Sequence, residues 1–205
     1  MIQIKNIIIC ITGTMTSGKA ALKYFLVDRG FKAIRHSQLL VQEGKKLGYD
    51  MTNKNNSSKV SVLLRKKYGL DILSKTSATE IRNQERYVIC PIRYSRDLKF
   101  FKDRYNALII FTDAPFEIRY RRTKLKNIEE KLTIKEFKKI DNFEQDPTGK
   151  DKKYLPDINS CRKLSDEIII NNKSLDYMNQ KLEKILRKYR IPDLEDTDTY
   201  EDFDV

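Results

Sequence analysis

At 205 residues with 40% apolar side chains, the chain is long enough for one sizeable core. Its 41 lysines and arginines against 29 acids give +12; residues 1–192, with all 41 bases and 22 acids, carry +19, whereas residues 193–205 hold seven acids and no base. No apolar run approaches the roughly 18 to 20 residues of a membrane span, and a single histidine leaves little material for a histidine-rich metal site or a Ser-His-Asp triad.

Cys10, Cys90 and Cys161 are odd in number and far apart, which argues for buried free thiols over disulfides or metal ligands. The absence of a small-residue cleavage pattern after the first apolar run points to a cytoplasmic protein. A strongly positive body attracts polyanions, among them nucleotides, coenzyme A-like molecules and RNA, although the plainer role of many lysines is to solvate helix faces. The acidic residues 193–205 read as a disordered tail able to fold back over the basic surface as a weak competitor for anions.

In chain order, Ile7–Ile11 is a near-continuous apolar run, the signature of a strand buried on both faces. A glycine-containing turn follows and opens a helical segment whose apolar residues Ala21, Leu22, Phe25 and Leu26 share one face, ending at Gly30. The turn, Gly13-Thr14-Met15-Thr16-Ser17-Gly18-Lys19, fits G-x-x-x-x-G-K. In that pattern backbone N–H groups wrap phosphates, the helix N-terminus faces them and the lysine reaches their oxygens. The candidate nucleotide-binding residues are Gly13, Thr14, Met15, Thr16, Ser17, Gly18, Lys19, Ala20 and Ala21. The residue after the lysine normally donates a hydroxyl to Mg²⁺; Ala20 and Ala21 cannot, so no direct metal ligand is expected and Mg²⁺ would be held through phosphates and water.

Phe31–Ile34 predicts a second strand, and Ser37 an N-cap for a helix running to Gly48. Residues 49–58 are polar and turn-rich, a connection exposed at a cleft. Helices are expected over Lys59–Tyr68 and Asp71–Gln84, then a third strand from Arg86 that Pro91 stops. Tyr94–Arg104 reads as a helix and Ala107–Thr112 as a fourth strand. Pro115 opens a basic helix carrying Arg119, Arg121, Arg122, Lys124 and Lys126. Residues 127–157 read as an inserted, charged segment with one amphipathic helix near Thr133–Glu144. Glu167–Ile170 is a fifth strand, and Ser174 caps a closing helix through Tyr189. Strands alternating with helices predict an α/β three-layer sandwich around a five-stranded parallel sheet.

Phosphoryl transfer depends on positioning and on positive charge around a group whose own charge is spread over three oxygens. Arg93, just past the third strand, Arg119 and Arg122, three apart on one helix face, and Arg65, before the break at Gly69, are candidates for that charge. His36 is the other titratable group of interest, read as a solvent-facing or cap-neighbouring side chain in preference to a base.

The succession GTMTSGKA, NKNN with Arg65 following, CPIR at 90–93, APFEIRYRR at 114–122, a charged segment and IINN at 169–172 resembles the P-loop nucleoside monophosphate kinase-like group. Within it the likeness is to the dephospho-CoA kinase-like and (deoxy)nucleoside monophosphate kinase-like AAA-type ATPases of archaea and bacteria, and it covers about residues 5 to 190. The resemblance implies a P-loop NTPase domain over residues 1–192 with strand order 2-3-1-4-5, a helical acceptor region at about 36–84 and a lid at about 124–157. It implies ATP and Mg²⁺ as cofactors, with Lys19, Arg93, Arg119 and Arg122 as catalytic residues and Ser37, Arg65 and Arg93 facing the acceptor. Two departures stand out: Cys90 where the third strand usually ends in an acid, and Arg35-His36-Ser37 where dephospho-CoA kinases carry an aspartate base. The expected reaction is transfer from ATP to a nucleoside or deoxynucleoside monophosphate, ahead of dephospho-CoA. The alternatives are a nucleotide-binding regulatory or scaffold subunit that has lost catalysis and needs a protein partner, and an RNA-associated basic protein.

Overall fold

The computed structural model describes residues 6–52, 54–125 and 132–192. The acidic tail, Lys126 and Asn53 of the NKNN stretch lie outside them. Five parallel strands, β1 (Ile7–Gly13), β2 (Lys32–Ile34), β3 (Arg86–Ile92), β4 (Leu108–Asp113) and β5 (Glu167–Ile170), form one sheet in the order β2-β3-β1-β4-β5. Helices cover both faces, as parallel crossovers require, so the sequence expectation of an α/β sandwich with this strand order holds.

The central strand shows why its apolar run is unbroken. Successive side chains of a strand point to opposite faces. Ile9 and Ile11 therefore pack on one side with Leu22 and Leu26 of α1 (Lys19–Val27) and with Met178, Leu182, Ile185 and Leu186 of α9 (Leu175–Lys188). Ile8 and Cys10 pack on the other with Leu98 and Phe101 of α5 (Ser95–Tyr105) and Cys161 of α8 (Ile158–Leu164). Each such fully buried side chain contributes roughly 1.5–3 kcal/mol relative to an exposed one. All three cysteines are free and buried.

Three elements differ from expectation. β3 does not stop at Pro91 but continues to Ile92. Its ladder with β2 has already ended at Ile34↔Ile89, and the register with β1 shifts between Cys10 and Thr12, so the missing N–H of Pro91 costs no regular ladder bond. The helix expected over residues 71–84 is only Ile72–Ala78, α4; Thr79 Oγ1 bonds back to the Thr76 carbonyl at 2.7 Å, a side-chain competitor at the helix end. Helix α8 was not expected, because its seven residues follow a turn-rich stretch. It is placed by Asp157, whose carboxylate accepts from the Ser95 N–H at 2.7 Å and the Ser95 hydroxyl at 2.5 Å, satisfying the start of α5.

The remaining helices are α2 (Gln38–Lys46), α3 (Lys54–Tyr68), α6 (Phe116–Leu125) and α7 (Ile134–Gln145). Ser37 sits at the N-cap of α2 but makes no side-chain cap bond, whereas Thr133 and Glu136 form a reciprocal capping box at α7 and Ser174 accepts from the Tyr177 N–H at α9. Among the described residues no helix is long and apolar enough to cross a membrane.

Helices α3, α4 and α5 meet around a buried polar cluster. Asp97 is fully buried and accepts from Arg65 Nη2 at 2.5 Å and Ser74 Oγ at 2.7 Å, with His36 Nε2 at 3.0 Å. His36 is 4% exposed and its Nδ1 lies 3.1 Å from Ser77 Oγ, so it neighbours the Ser37 N-cap, as one branch of the expectation had it, but is an interior link and not solvent-facing. Burial alone would raise the Asp97 pKa; His36 and then Arg65 outweigh it and hold the group at about 2. Because the folded-state value lies below the ordinary 3.8, this stabilisation is present above pH 3.8 and is lost as pH falls towards 2. Asp97→Asn leaves Arg65 buried without a counter-charge and is predicted to cost about 3–5 kcal/mol in urea unfolding at neutral pH. The variant should also lose the share of acid sensitivity that Asp97 confers on the wild type between pH 4 and 2.

Candidate functional site

The loop between β1 and α1 is shaped by two glycines. Gly13 has φ of 142°, and a Cβ there would lie 2.0 Å from the Thr112 carbonyl oxygen, in β4 backbone that cannot yield. Gly18 has φ of 109°, and a Cβ there would meet Asn171 Nδ2 at 2.3 Å. Gly18 is also the N-cap of α1 and offers no side chain to its first-turn N–H groups. The Ala21 N–H turns back to the Gly18 carbonyl at 3.0 Å, which leaves the N–H groups of Lys19 and Ala20 as the ones at the helix start open to an anion.

Side chains from the neighbouring strands hold the loop in place. The Ser17 carbonyl accepts from Thr112 Oγ1 at 3.2 Å and from Asn171 Nδ2 at 2.8 Å. Thr14 Oγ1 donates to Asp113 Oδ1 at 2.7 Å, Ser17 Oγ to the Thr14 carbonyl at 2.9 Å, and Thr16 Oγ1 to the Arg119 carbonyl at 2.7 Å. The hydroxyls of Thr14, Thr16 and Ser17 thus serve the loop's shape.

Lys19 Nζ folds back onto the loop, 2.8 Å from the Gly13 carbonyl and 2.5 Å from that of Thr14. Burial, and after it the nearby Arg93 guanidinium, lower its pKa from 10.5 to about 8. An anion placed against this ammonium would relieve both effects. Ala20 is exposed and Ala21 packs partly against the core, so the hydroxyl usual after the lysine has no substitute at either position.

The four arginines occupy very different surroundings. Arg119 is 5% exposed; both its Nη atoms donate to the Asp141 carboxylate and its Nε donates to the Ala114 carbonyl at 2.8 Å. Arg65 is 2% exposed, stacked 3.7 Å from the Tyr94 ring and tied to Asp97 and the Leu70 carbonyl. Both guanidiniums are enclosed, and pulling either from its carboxylate costs about 3–5 kcal/mol. Arg93 follows Ile92, which pairs with Thr12, so it lies beside the start of the loop; its half-exposed Nη1 donates to Glu144 Oε1 at 2.6 Å. Such a partly solvated pair contributes about 0–1 kcal/mol and can be exchanged for a ligand. Arg122 Nη2 donates to Asn171 O and Oδ1, each at 3.2 Å, while its buried Nη1 has no partner among the described residues.

The residues that hold this site and escaped the sequence reading are Asp141, Glu144, Asn171 and Thr112. Asn171 falls within the IINN stretch, but nothing in the sequence aims its amide at the loop. Asp141 and Glu144, three apart on α7, share a helix face, a spacing equally common on solvated helices.

The geometry fits a polyphosphate. It combines a cradle that side chains at residues 13 and 18 would fill, an uncapped helix start, a partly desolvated ammonium and an orphaned guanidinium nitrogen. Among the described residues, Asp113 is bonded to Thr14 of the loop and to Arg162 Nη1 at 2.7 Å, and Glu144 is bonded to Arg93.

No family model matches the chain. It is 27% identical over 182 residues to a UPF0200 protein of Sulfurisphaera tokodaii, covering 88% of this chain and 96% of that protein. It is 23% identical over 189 residues to a UPF0200 protein of Thermococcus gammatolerans, covering 88% and 94%. Among solved structures, the chain is similar to a shikimate kinase from Bacteroides thetaiotaomicron, with a TM-score of 0.55 and 13% identity over 88% of this chain and 98% of that one. It is similar also to the Deinococcus radiodurans tunicamycin resistance protein (TM-score 0.53, 14% identity, 92% and 98% covered) and to dephospho-CoA kinase from Campylobacter jejuni (0.51, 14%, 90% and 97%). At these identities the likeness establishes a shared α/β fold.

Phosphate binding needs charged Lys19, and above about pH 8 the free protein must take up a proton to supply it. The affinity for ATP is therefore predicted to be level below pH 8 and to weaken by up to about tenfold per pH unit above it. Calorimetric titration from pH 6.5 to 9.5 checks this, and Lys19→Arg, which stays charged throughout, should flatten the dependence.

Proposed function

We propose that the chain is an ATP-dependent phosphotransferase that moves the γ-phosphoryl group of ATP to a small acceptor. The observation that carries this reading is the loop itself: Lys19 desolvated and folded onto the carbonyls of Gly13 and Thr14, above a helix start that no side chain caps. The backbone of residues 13–21 takes the donor phosphates, Lys19 exchanges its loop carbonyls for phosphate oxygens, and Arg122 Nη1, without a partner among the described residues, is a further cationic donor. Mg²⁺ bound with ATP would neutralise charge on the phosphates, and among the described residues Asp113, bonded to Thr14, is the carboxylate that would reach it through water.

The acceptor lies between the helical region at about residues 36–84 and the lid at about 124–157. Its preferred identity as a nucleoside or deoxynucleoside monophosphate, ahead of dephospho-CoA, rests on the sequence resemblance. That preference loses support from Arg65, whose guanidinium is enclosed against Asp97 and does not open towards an acceptor.

A second reading, a nucleotide-binding subunit without catalysis, is favoured by one observation: the loop offers no hydroxyl at Ala20, and the third strand offers the Cys90 thiol, with a pKa pushed up to about 11 by burial, in place of an acid. Both readings predict that Mg-ATP binds and that Lys19→Ala weakens it at least 100-fold. They separate on turnover: the phosphotransferase forms ADP from bound ATP, and a chain that binds ATP but never forms ADP is the subunit. A wild-type chain that shows no ATP binding by calorimetry contradicts both.

A further inference from the structure

Three guanidiniums that the sequence offers to a monophosphate acceptor or its moving phosphoryl group already face carboxylates of the chain itself. Arg65 holds Asp97, Arg119 holds Asp141 by two nitrogens, and Arg93 holds Glu144 at 2.6 Å. The first two are 2% and 5% exposed and present no open side to a ligand. An acceptor phosphate at the third would have to displace the Glu144 carboxylate seated there, a pair worth about 0–1 kcal/mol, whereas a neutral hydroxyl leaves that pair in place.

The same carboxylate is well placed for another task. Arg93 follows Ile92, the partner of Thr12 at the end of the β1–β3 register, and the charges of both Arg93 and Glu144 reach Lys19, so Glu144 stands at the mouth of the β1–α1 loop. Its side chain is 15% exposed, and only Oε1 is engaged by Arg93; among the described residues Oε2 has no hydrogen-bond partner. Glu144 and Lys19 are close enough to feel each other's charge. His36, the single histidine of the sequence, is buried with both ring nitrogens engaged by Ser77 and Asp97.

Resting on the phosphotransferase reading, we propose that the acceptor reacts through a hydroxyl group, not through a phosphate, and that Glu144 is its general base. A monophosphate is already anionic and needs no base; a neutral hydroxyl needs one and brings no charge to compete for Arg93. The acceptor oxygen forms a bond to the γ-phosphorus while the bond from that phosphorus to the β–γ bridging oxygen breaks. The electron pair leaves with ADP, and the hydroxyl proton passes to the Glu144 carboxylate and then to solvent. Arg93 fixes the carboxylate's position at the loop.

The test uses the full chain with Mg-ATP and water as the simplest hydroxyl, then adenosine, shikimate and dephospho-CoA against AMP, dAMP, CMP and UMP. ADP formation is expected with water and to be raised by at least one hydroxyl acceptor, without stimulation by the monophosphates. Glu144→Gln should still bind ATP, lower the ADP-forming rate about 100-fold and lose the acid limb of the pH–rate profile, while Glu144→Asp recovers part of the rate. A Glu144→Gln rate equal to or above wild type overturns the proposal, as does stimulation by the monophosphates. Wild-type chain that binds ATP yet forms no ADP, or fails to respond to every hydroxyl acceptor, also overturns it and leaves nucleotide binding standing. Failure to bind ATP removes the underlying reading itself.

Discussion

The carbonyl oxygen of Ser17 accepts two hydrogen bonds, from Thr112 on β4 and from Asn171 just past β5, and the phosphate loop depends on them. A seven-residue glycine-containing turn has many conformations available to it, and fixing its backbone costs roughly 1–2 kcal/mol per residue. Anchoring its centre to two adjacent strands, with Thr14 held by Asp113 and Gly13 pressed against the Thr112 backbone, spreads that cost over the sheet. The sheet order β2-β3-β1-β4-β5 matters functionally for this reason: it brings the ends of β4 and β5 beside the loop that β1 launches.

Charge around this loop is managed by pairing. A body with +19 over residues 1–192 could crowd the β1–α1 loop with cations, yet the enclosed arginines are each neutralised at hydrogen-bond distance. What remains available at the mouth is Lys19, held on backbone carbonyls that a phosphate can replace, the buried spare nitrogen of Arg122, and the exchangeable pair of Arg93 with Glu144. The enclosed pairs act as scaffold: Asp97 joins α3, α4 and α5 through Arg65 and Ser74, and Asp141 fastens α7 to α6 through Arg119. Losing either carboxylate would disturb the site through the fold before it altered any chemistry.

Where local pattern decides the structure, the sequence was readable. The run Ile7–Ile11, the glycines at 13 and 18, and the apolar face of α9 announce strand, loop and helix, because side-chain period and glycine's freedom at positive φ are local properties. The strand order came from resemblance and agrees with the sheet observed. Partners across the chain were not readable. Arg65 and Asp97 are 32 residues apart and Arg119 and Asp141 are 22 apart, and in a chain with 41 basic residues no spacing rule says which arginine meets which acid. His36 was misjudged for the same reason: its burial is set by Ser77 and Asp97, which the fold brings from α4 and α5. Helix α8 was missed because seven residues give too short a window for a helical period to declare itself.

The central claim is that residues 13–21 hold the phosphates of a nucleotide, and amide hydrogen exchange measures it most directly. On adding Mg-ATP to the wild-type chain, the amides of the loop and of the first turn of α1 are predicted to become protected, while those of β5 and α9 change little. The same experiment with Lys19→Ala should show no such protection. Protection confined to other parts of the chain, or a loop whose exchange is untouched by saturating ATP, would contradict the account.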